Sequence, residues 1–326
     1  MKDNPNAIPK EVQDGRFDLS GERAERTQEY VSTQDHEKAK MVSLKSEGYT
    51  NKNFTTCLSI AGFDGSGGAG IQADLKTFSA LGCYGMTVLT ALPVQNTCGV
   101  KSCYEIPIKS ITEQLEVIFE DIVPHSIKIG MLFSTQIIEV VADFLATHAT
   151  NIPIVLDPVM VAKSGDPLLI PSAVNALKTK LIPISTIITP NIPEAQTLLA
   201  LQTDNMETLG NKLLELGPQN VLLKGGHLTG LQSNDLFIDK FGTRTWLEAH
   251  RIDSKNVHGT GCTLSAAIAA NIAKGMQHLQ ACQVAKHYLT EAIRASKHCS
   301  VGKGHGPVHH FHHIWQLTKK YDKALE

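Results

Sequence analysis

The 326-residue chain is 42% hydrophobic, 19% charged and 6% aromatic, which excludes collagen-like and wholly disordered proteins and allows a substantial buried core. Thirty Lys and Arg oppose 32 Asp and Glu, so no global basic field exists to hold phosphodiester backbones or anionic lipid; nucleic acid and membrane surfaces are not expected partners. Seven cysteines, odd in number and without C-x-x-C spacing, suit a reducing cytoplasm.

Residues 1–53 carry ten acidic and nine basic residues with almost no helical or strand periodicity, and read as a disordered N-terminal extension ahead of one domain over 54–326. The segment is too acidic for an organellar transit peptide and lacks the apolar core of a secretory signal. From Phe54 onward, short β-branched runs alternate with longer amphipathic segments.

The strands expected are Thr55–Ala61, Thr87–Gln95, Ser126–Met131, Ile152–Val159, Thr186–Thr189 and Asn220–Gly225. Helices are expected over Ala69–Leu81, Ile111–Asp121, Thr135–Thr147, Ser172–Leu181, Ile192–Leu199, Asn205–Leu216, Thr260–Lys274 and Gln277–His298. Two short runs between Leu236 and Ile252 read as a hairpin near a sheet edge. The alternation predicts an α/β fold with a mostly parallel sheet covered by helices on both faces. Ligands of such sheets sit beyond the carboxyl ends of the strands, so the strand-to-helix joins are where chemistry is sought.

The first join, from Ala61 to Asp74, places five glycines within nine positions, letting backbone approach a ligand closely. It is neither a P-loop nor a G-x-G-x-x-G fingerprint. Asp64 and Asp74 are each open to reading as simple turn or helix-start carboxylates.

The segment from Asn256 to Ser265 passes from a polar loop into an Ala-rich helix. Unpaired N–H groups at that helix start, roughly half a positive charge from the macrodipole and the glycines 259 and 261 together make a phosphate cradle. Cys262 sits in its first turn, where neighbouring N–H groups would lower the thiol toward thiolate. Either that sulfur accepts a proton, or only the Cys262 backbone N–H matters.

Asn191 and Glu194, three apart at a helix start, can project together toward hydrated Mg²⁺ or instead form a capping box. Lys224 precedes two glycines, a position suited to triphosphate contacts. Asp157 lies at another strand end and is a candidate metal partner through water. Lys163 follows in a Gly-containing loop long enough to act as a lid. The C-terminal histidines 305, 309, 310, 312 and 313 are spaced too closely for a defined tetrahedral site and read as part of a packed terminal segment.

Taken together, Ser66–Thr77, Gln95-Asn96-Thr97, Lys128–Leu132, Lys224–His227 and His258–Ser265 make the chain resemble the hydroxymethylpyrimidine/phosphomethylpyrimidine kinases of thiamine biosynthesis, within the ribokinase-like superfamily. The resemblance runs from about Leu58 to Trp315. It implies a homodimeric enzyme that uses ATP and Mg²⁺ to phosphorylate an aminopyrimidine alcohol and then its monophosphate, in one site. It further implies that Gln95 hydrogen-bonds the pyrimidine with Gly62, Asp74 and Met131 around it. Gly259, Thr260 and Gly261 would form the anion hole, with Cys262 where many relatives carry an Asp base. Lys224, Asn191 and Lys163 are the candidate ATP contacts. One departure is Gly65, which stands where the family pattern has proline and should loosen the turn before Ser66. Two rival readings are a pyridoxal or pyridoxine kinase on the same scaffold and a catalytically silent metabolite sensor.

Overall fold

The computed structural model describes residues 54–161, 165, 168–169 and 172–315. The expected extension over 1–53, Lys163 and most of the loop around it lie outside those residues. One eight-stranded sheet organises the rest. Its strands, in spatial order, are β10 (Arg244–Leu247), β9 (Asp235–Asp239), β8 (Asn220–Lys224), β7 (Ile187–Ile188), β6 (Ile154–Leu156), β5 (Ser126–Ile129), β1 (Thr56–Ala61) and β2 (Tyr84–Leu89). Pairing is parallel from β2 to β8 and antiparallel at β8–β9 and β9–β10, so the expected hairpin is present at the sheet edge.

The strands are apolar almost without interruption because both faces are covered. Alternate residues point to opposite cores: Leu58, Ile60, Val221 and Leu223 enter one, Cys57 and Leu222 the other. The first core lies against α2 (Ile108–Asp121), α3 (Thr135–His148), α5 (Ile192–Leu199) and α6 (Met206–Leu214). The second lies against α1 (Gly70–Ala80), α7 (Thr260–Ala273) and α8 (His278–Ser296). Helix α7 is buried from Thr263 to Ile272, which explains a composition apolar all round rather than on one stripe.

Two expectations are corrected. The strand expected over Thr87–Gln95 breaks at Thr90, whose N–H bonds to Ala61 and whose hydroxyl donates to the Met131 carbonyl at 2.6 Å. Beyond it the chain leaves the main sheet, and β3 (Ala91–Asn96) pairs with β4 (Gly99–Glu105) as a separate antiparallel hairpin. Strand β4 has no buried face, so it lacks the alternation that would have revealed it. The helix expected over Ser172–Leu181 is one α-turn, α4 (Ala173–Ala176), widening into a π-turn over Leu177–Leu181 and tightening into a 3₁₀-turn over Ile182–Ile184 that contains Pro183.

Candidate active site

A cavity of about 920 Å³ opens at the carboxyl ends of the parallel strands. It gathers Gly62, Gln95, Met131, Asp157, Asn191, Glu194, Lys224 and the turn Gly259–Cys262, which are drawn from six strand ends or joins and the β3–β4 hairpin.

The join after β1 is built around the Asp64 carboxylate, which is fully buried. Oδ1 accepts from the Ser66 N–H (2.9 Å) and hydroxyl (2.7 Å), and Oδ2 from the N–H groups of Gly68 (3.0 Å) and Ala69 (2.7 Å). His258 Nε2 lies 2.8 Å from the same Oδ2. Burial alone would raise the Asp64 pKa; the hydrogen bonds from His258 and Ser66 outweigh it, with the Gln95 amide also favouring the charged form, and hold the carboxyl well below the usual carboxylate range. This wrapping supplies the rigidity expected to be lost with Gly65: the carboxylate, rather than a proline, fixes the turn.

His258 leads into the anion turn. Gly259 has φ +74°, and a Cβ there would strike the Gly68 carbonyl, so the two glycine loops touch backbone to backbone. Among the described residues no side chain caps α7. The Thr260 N–H reaches Val257 and the Thr263 N–H reaches Gly259, while the amides of Gly261 and Cys262 between them belong to residues lining the cavity. A Cβ on Gly261 would lie 3.1 Å from Asp157 Oδ2 and 3.5 Å from Lys224 Nζ, so this glycine lets the amide turn reach the charged group beside it.

That group is Lys224 with Asp157 (2.8 Å) and Glu194 (3.9 Å). Burial opposes the Lys224 ammonium, yet Asp157 and Glu194 together push its pKa upward. Burial, with the Asp157 charge adding to it, pushes Glu194 up to about 7 against the pull of Lys224. Asn191 and Glu194 form a capping box: Asn191 Oδ1 accepts from the Glu194 N–H (2.9 Å) and Glu194 Oε2 from the Asn191 N–H (2.7 Å). The capping alternative is thus the observed one, and both residues still line the cavity.

Two expectations change here. Asp74 does not line the cavity; it is fully buried, accepts from Ser59 Oγ (2.5 Å) and pairs with Lys128 Nζ (2.7 Å). Lys128, itself fully buried, is what Asp74 presents at the cavity floor. Nor is the Cys262 thiol lowered. Burial pushes it up to about 11, with Asp74 and Asp157 adding to the rise, although Lys128 and the Gly70 N–H pull the other way. Desolvation beside two carboxylates outweighs the helix start.

Sequence reasoning left without roles Lys128, the His258–Asp64 pair and the buried Lys286–Asp235 pair (2.7 Å), whose Asp235 Oδ1 accepts the Gly225 N–H and fixes the turn after Lys224. A lysine between Ile127 and Ile129 in a strand buried on both faces was a readable signal; contacts across nearly 200 residues of chain were not.

The phosphomethylpyrimidine kinase family model matches residues 64–309. The chain belongs to that family. It is 50% identical to a hydroxymethylpyrimidine/phosphomethylpyrimidine kinase of Salmonella typhimurium over 79% of this chain and 98% of that protein. Among solved structures it is similar to a phosphomethylpyrimidine kinase of Clostridium difficile 630 (44% identity, TM-score 0.65, 73% of this chain and 99% of that one). It is also similar to a Bacillus subtilis pyridoxal kinase in complex with ADP (37% identity, TM-score 0.73, 79% and 98%). The family shares the ribokinase-like arrangement of a mostly parallel sheet between helices seen here.

Replacing Asp64 by Asn is expected to cost on the order of 3 kcal/mol at pH 7, because a buried charged acceptor of several N–H groups is lost. The fold depresses this carboxyl below its ordinary 3.8, so its contribution is complete above about pH 4 and disappears as pH falls through the folded value. Urea unfolding of both proteins from pH 7 to 3 should therefore show their stabilities converging on acidification. A gap independent of pH would contradict the ionised hub.

Proposed function

We propose that this chain transfers the terminal phosphoryl group of ATP to the hydroxymethyl group of 4-amino-5-hydroxymethyl-2-methylpyrimidine, and a second phosphoryl group to the resulting monophosphate. The observation that carries the reading is one cavity holding both Gln95 and the α7 amide turn, the latter tied to Asp64 through His258.

Gln95 offers a donor and an acceptor on one amide, the pair an aminopyrimidine edge complements. It follows a β-bulge between Val94 and Gln95, a feature that re-aims a side chain out of strand register. Gly62 and Met131 form a close-fitting wall: a Cβ at 62 would lie 2.9 Å from the Met131 sulfur. At the other end Ile252, Val257, Leu264, Leu289 and Ile293 supply an apolar slot suited to adenine.

Phosphoryl transfer needs positioning and charge neutralisation more than covalent chemistry. Lys224 and the amides of Gly259, Thr260, Gly261 and Cys262 supply fixed positive character for the transferred group. Asp157 and Glu194, hard oxygen donors held close by a shared lysine, fit Mg²⁺ that keeps part of its water shell. When bound, the ion would neutralise phosphate charge. Cys262 takes the substrate hydroxyl proton; its thiolate, scarce at neutral pH, is stabilised by Lys128 and the Gly70 N–H.

A second copy of the chain packs on the β3–β4 hairpin, whose Leu92, Val94 and Tyr104 are exposed. The seven unpaired cysteines support a cytoplasmic setting, and among the described residues no helix is long and apolar enough to cross a membrane. The likeness to pyridoxal kinases favours pyridoxal as the competing acceptor.

Three outcomes are expected. Wild-type enzyme with ATP and the pyrimidine alcohol should accumulate the monophosphate and then the diphosphate, and Gln95→Ala should raise the pyrimidine KM by about 5- to 150-fold, the equivalent of about 1–3 kcal/mol, at constant ATP KM. Turnover of pyridoxal alone, with no diphosphate formed, would assign the rival activity. In the second experiment, kcat of the wild type should climb with pH between 7 and 10 as the Cys262 thiolate fraction grows, and Cys262→Ala should lose both the climb and about 10²-fold or more of the rate. A flat profile with near-wild-type kcat in that variant would leave the turn acting through its amides alone. Finally, Glu194→Gln should raise the Mg²⁺ concentration for half-maximal rate by about tenfold or more; an unchanged Mg²⁺ titration would remove Glu194 from the metal's surroundings.

A further inference from the structure

The segment that follows α8 is used by neither the ring site nor the phosphate site as described, yet it touches both. The N–H of Gly304 donates to Thr97 Oγ1 (3.1 Å) and that of His305 to the Thr97 carbonyl (3.0 Å). Thr97 opens the turn between β3 and β4, two residues beyond Gln95. The Gly306 carbonyl then accepts the His258 N–H (3.0 Å), one residue before the anion turn. Pro307 packs on the glycine loop, where a Cβ on Gly68 would lie 3.2 Å from the Pro307 Cβ. His310, buried, ends the run 3.1 Å from Thr263 Oγ1 in the first turn of α7.

The residue types fit this course. A Cβ at Gly302 or Gly304 would run into Thr97, and one at Gly306 into the Asn256 amide. Asn256 in turn donates to the carbonyls of Ser296 and Cys299, anchoring the start of the strap. Among the described residues the hairpin that carries Gln95 has two strands, and such a pair is marginal on its own. Whatever holds its tip therefore holds the ring contact.

We propose that Thr97 is a positioning residue for the phosphoryl transfer: it latches the ring-binding hairpin to the strap over 302–307, and the strap, bonded at its other end to His258, sets the reach from Gln95 to the anion turn. The inference rests on the reading of Gln95 as the pyrimidine contact.

The test uses the full chain. Thr97→Val keeps the side-chain shape and removes the acceptor for the Gly304 N–H. It should raise the pyrimidine KM about three- to tenfold while leaving the ATP KM and thermal midpoint unchanged. Thr97→Ser, which retains the hydroxyl, should restore the wild-type KM, and Gly304→Ala should reproduce the selective defect from the strap side. Equal rises in both KM values, an unaltered pyrimidine KM, or a Ser variant that behaves like the Val variant would each overturn the latch. The two readings separate cleanly: wild-type pyrimidine turnover together with a raised KM in Gln95→Ala upholds the ring contact, and an unaffected Thr97→Val on that background sinks the latch alone. A wild type that does not turn over the pyrimidine overturns both.

Discussion

A buried carboxylate must be paid for in hydrogen bonds, and Asp64 shows how one such group can organise an active site. Its two oxygens accept from Ser66, Gly68, Ala69 and His258. Those donors come from two segments distant in sequence, the glycine loop and the entry to α7, and the Phe63 N–H donates to the Ala91 carbonyl (2.9 Å), which joins the same loop to the β3–β4 hairpin. Since leaving the carboxylate's bonds unmade costs the desolvation of a charged group, one side chain fixes the glycine loop against the entry to α7. Contact between Gly259 and the Gly68 carbonyl makes the same junction sterically. The Gln95 hairpin and the α7 turn are thus both joined to the glycine loop.

The charges around that anchor follow a second regularity. Lys128–Asp74, Lys224–Asp157 and Lys286–Asp235 are each at 2.7–2.8 Å and each largely buried. Buried ion pairs contribute little net stability because desolvation offsets their attraction. What they do provide is cationic groups that cannot wander. Lys128 and Lys224 reach the cavity itself, while Lys286 acts through Asp235 on the backbone turn that follows Lys224. A site that binds a triphosphate needs positive charge in place before the ligand arrives, since reorganising it later would cost binding energy. The raised position of the Cys262 thiol comes first from burial, and the carboxylates that hold the lysines add to it against the pull of Lys128.

Much of the fold was legible in the residues themselves, because strands buried on both faces leave continuous β-branched runs and the joins between them carry clustered glycines. The turn Gly259–Cys262 at the cavity wall was readable too: a polar loop feeding an Ala-rich apolar helix marks a helix start whose first amides have no intrahelical partner. Strand β4 was not readable, since its side chains are exposed on both sides and carry no period. The break at Thr90 depends on bonds to Ala61 and Met131 that only the folded chain brings together. Asp74 was drawn toward the substrate by its family motif, whereas burial and Lys128 give it an indirect place. The thiol of Cys262 went the opposite way from the helix-dipole expectation because local reasoning sees the helix start and not the burial that the fold imposes there, to which two carboxylates add.

The account stands on the claim that one cavity presents an aminopyrimidine to a phosphoryl group held by the first turn of α7. A crystal structure with a non-hydrolysable ATP analogue and the pyrimidine alcohol bound together tests that claim most directly. The ring should lie in hydrogen-bond contact with the Gln95 amide, its hydroxymethyl group directed at a terminal phosphate that rests on the amides of Gly261 and Cys262. A ring bound elsewhere, or a terminal phosphate out of reach of those amides, would contradict it.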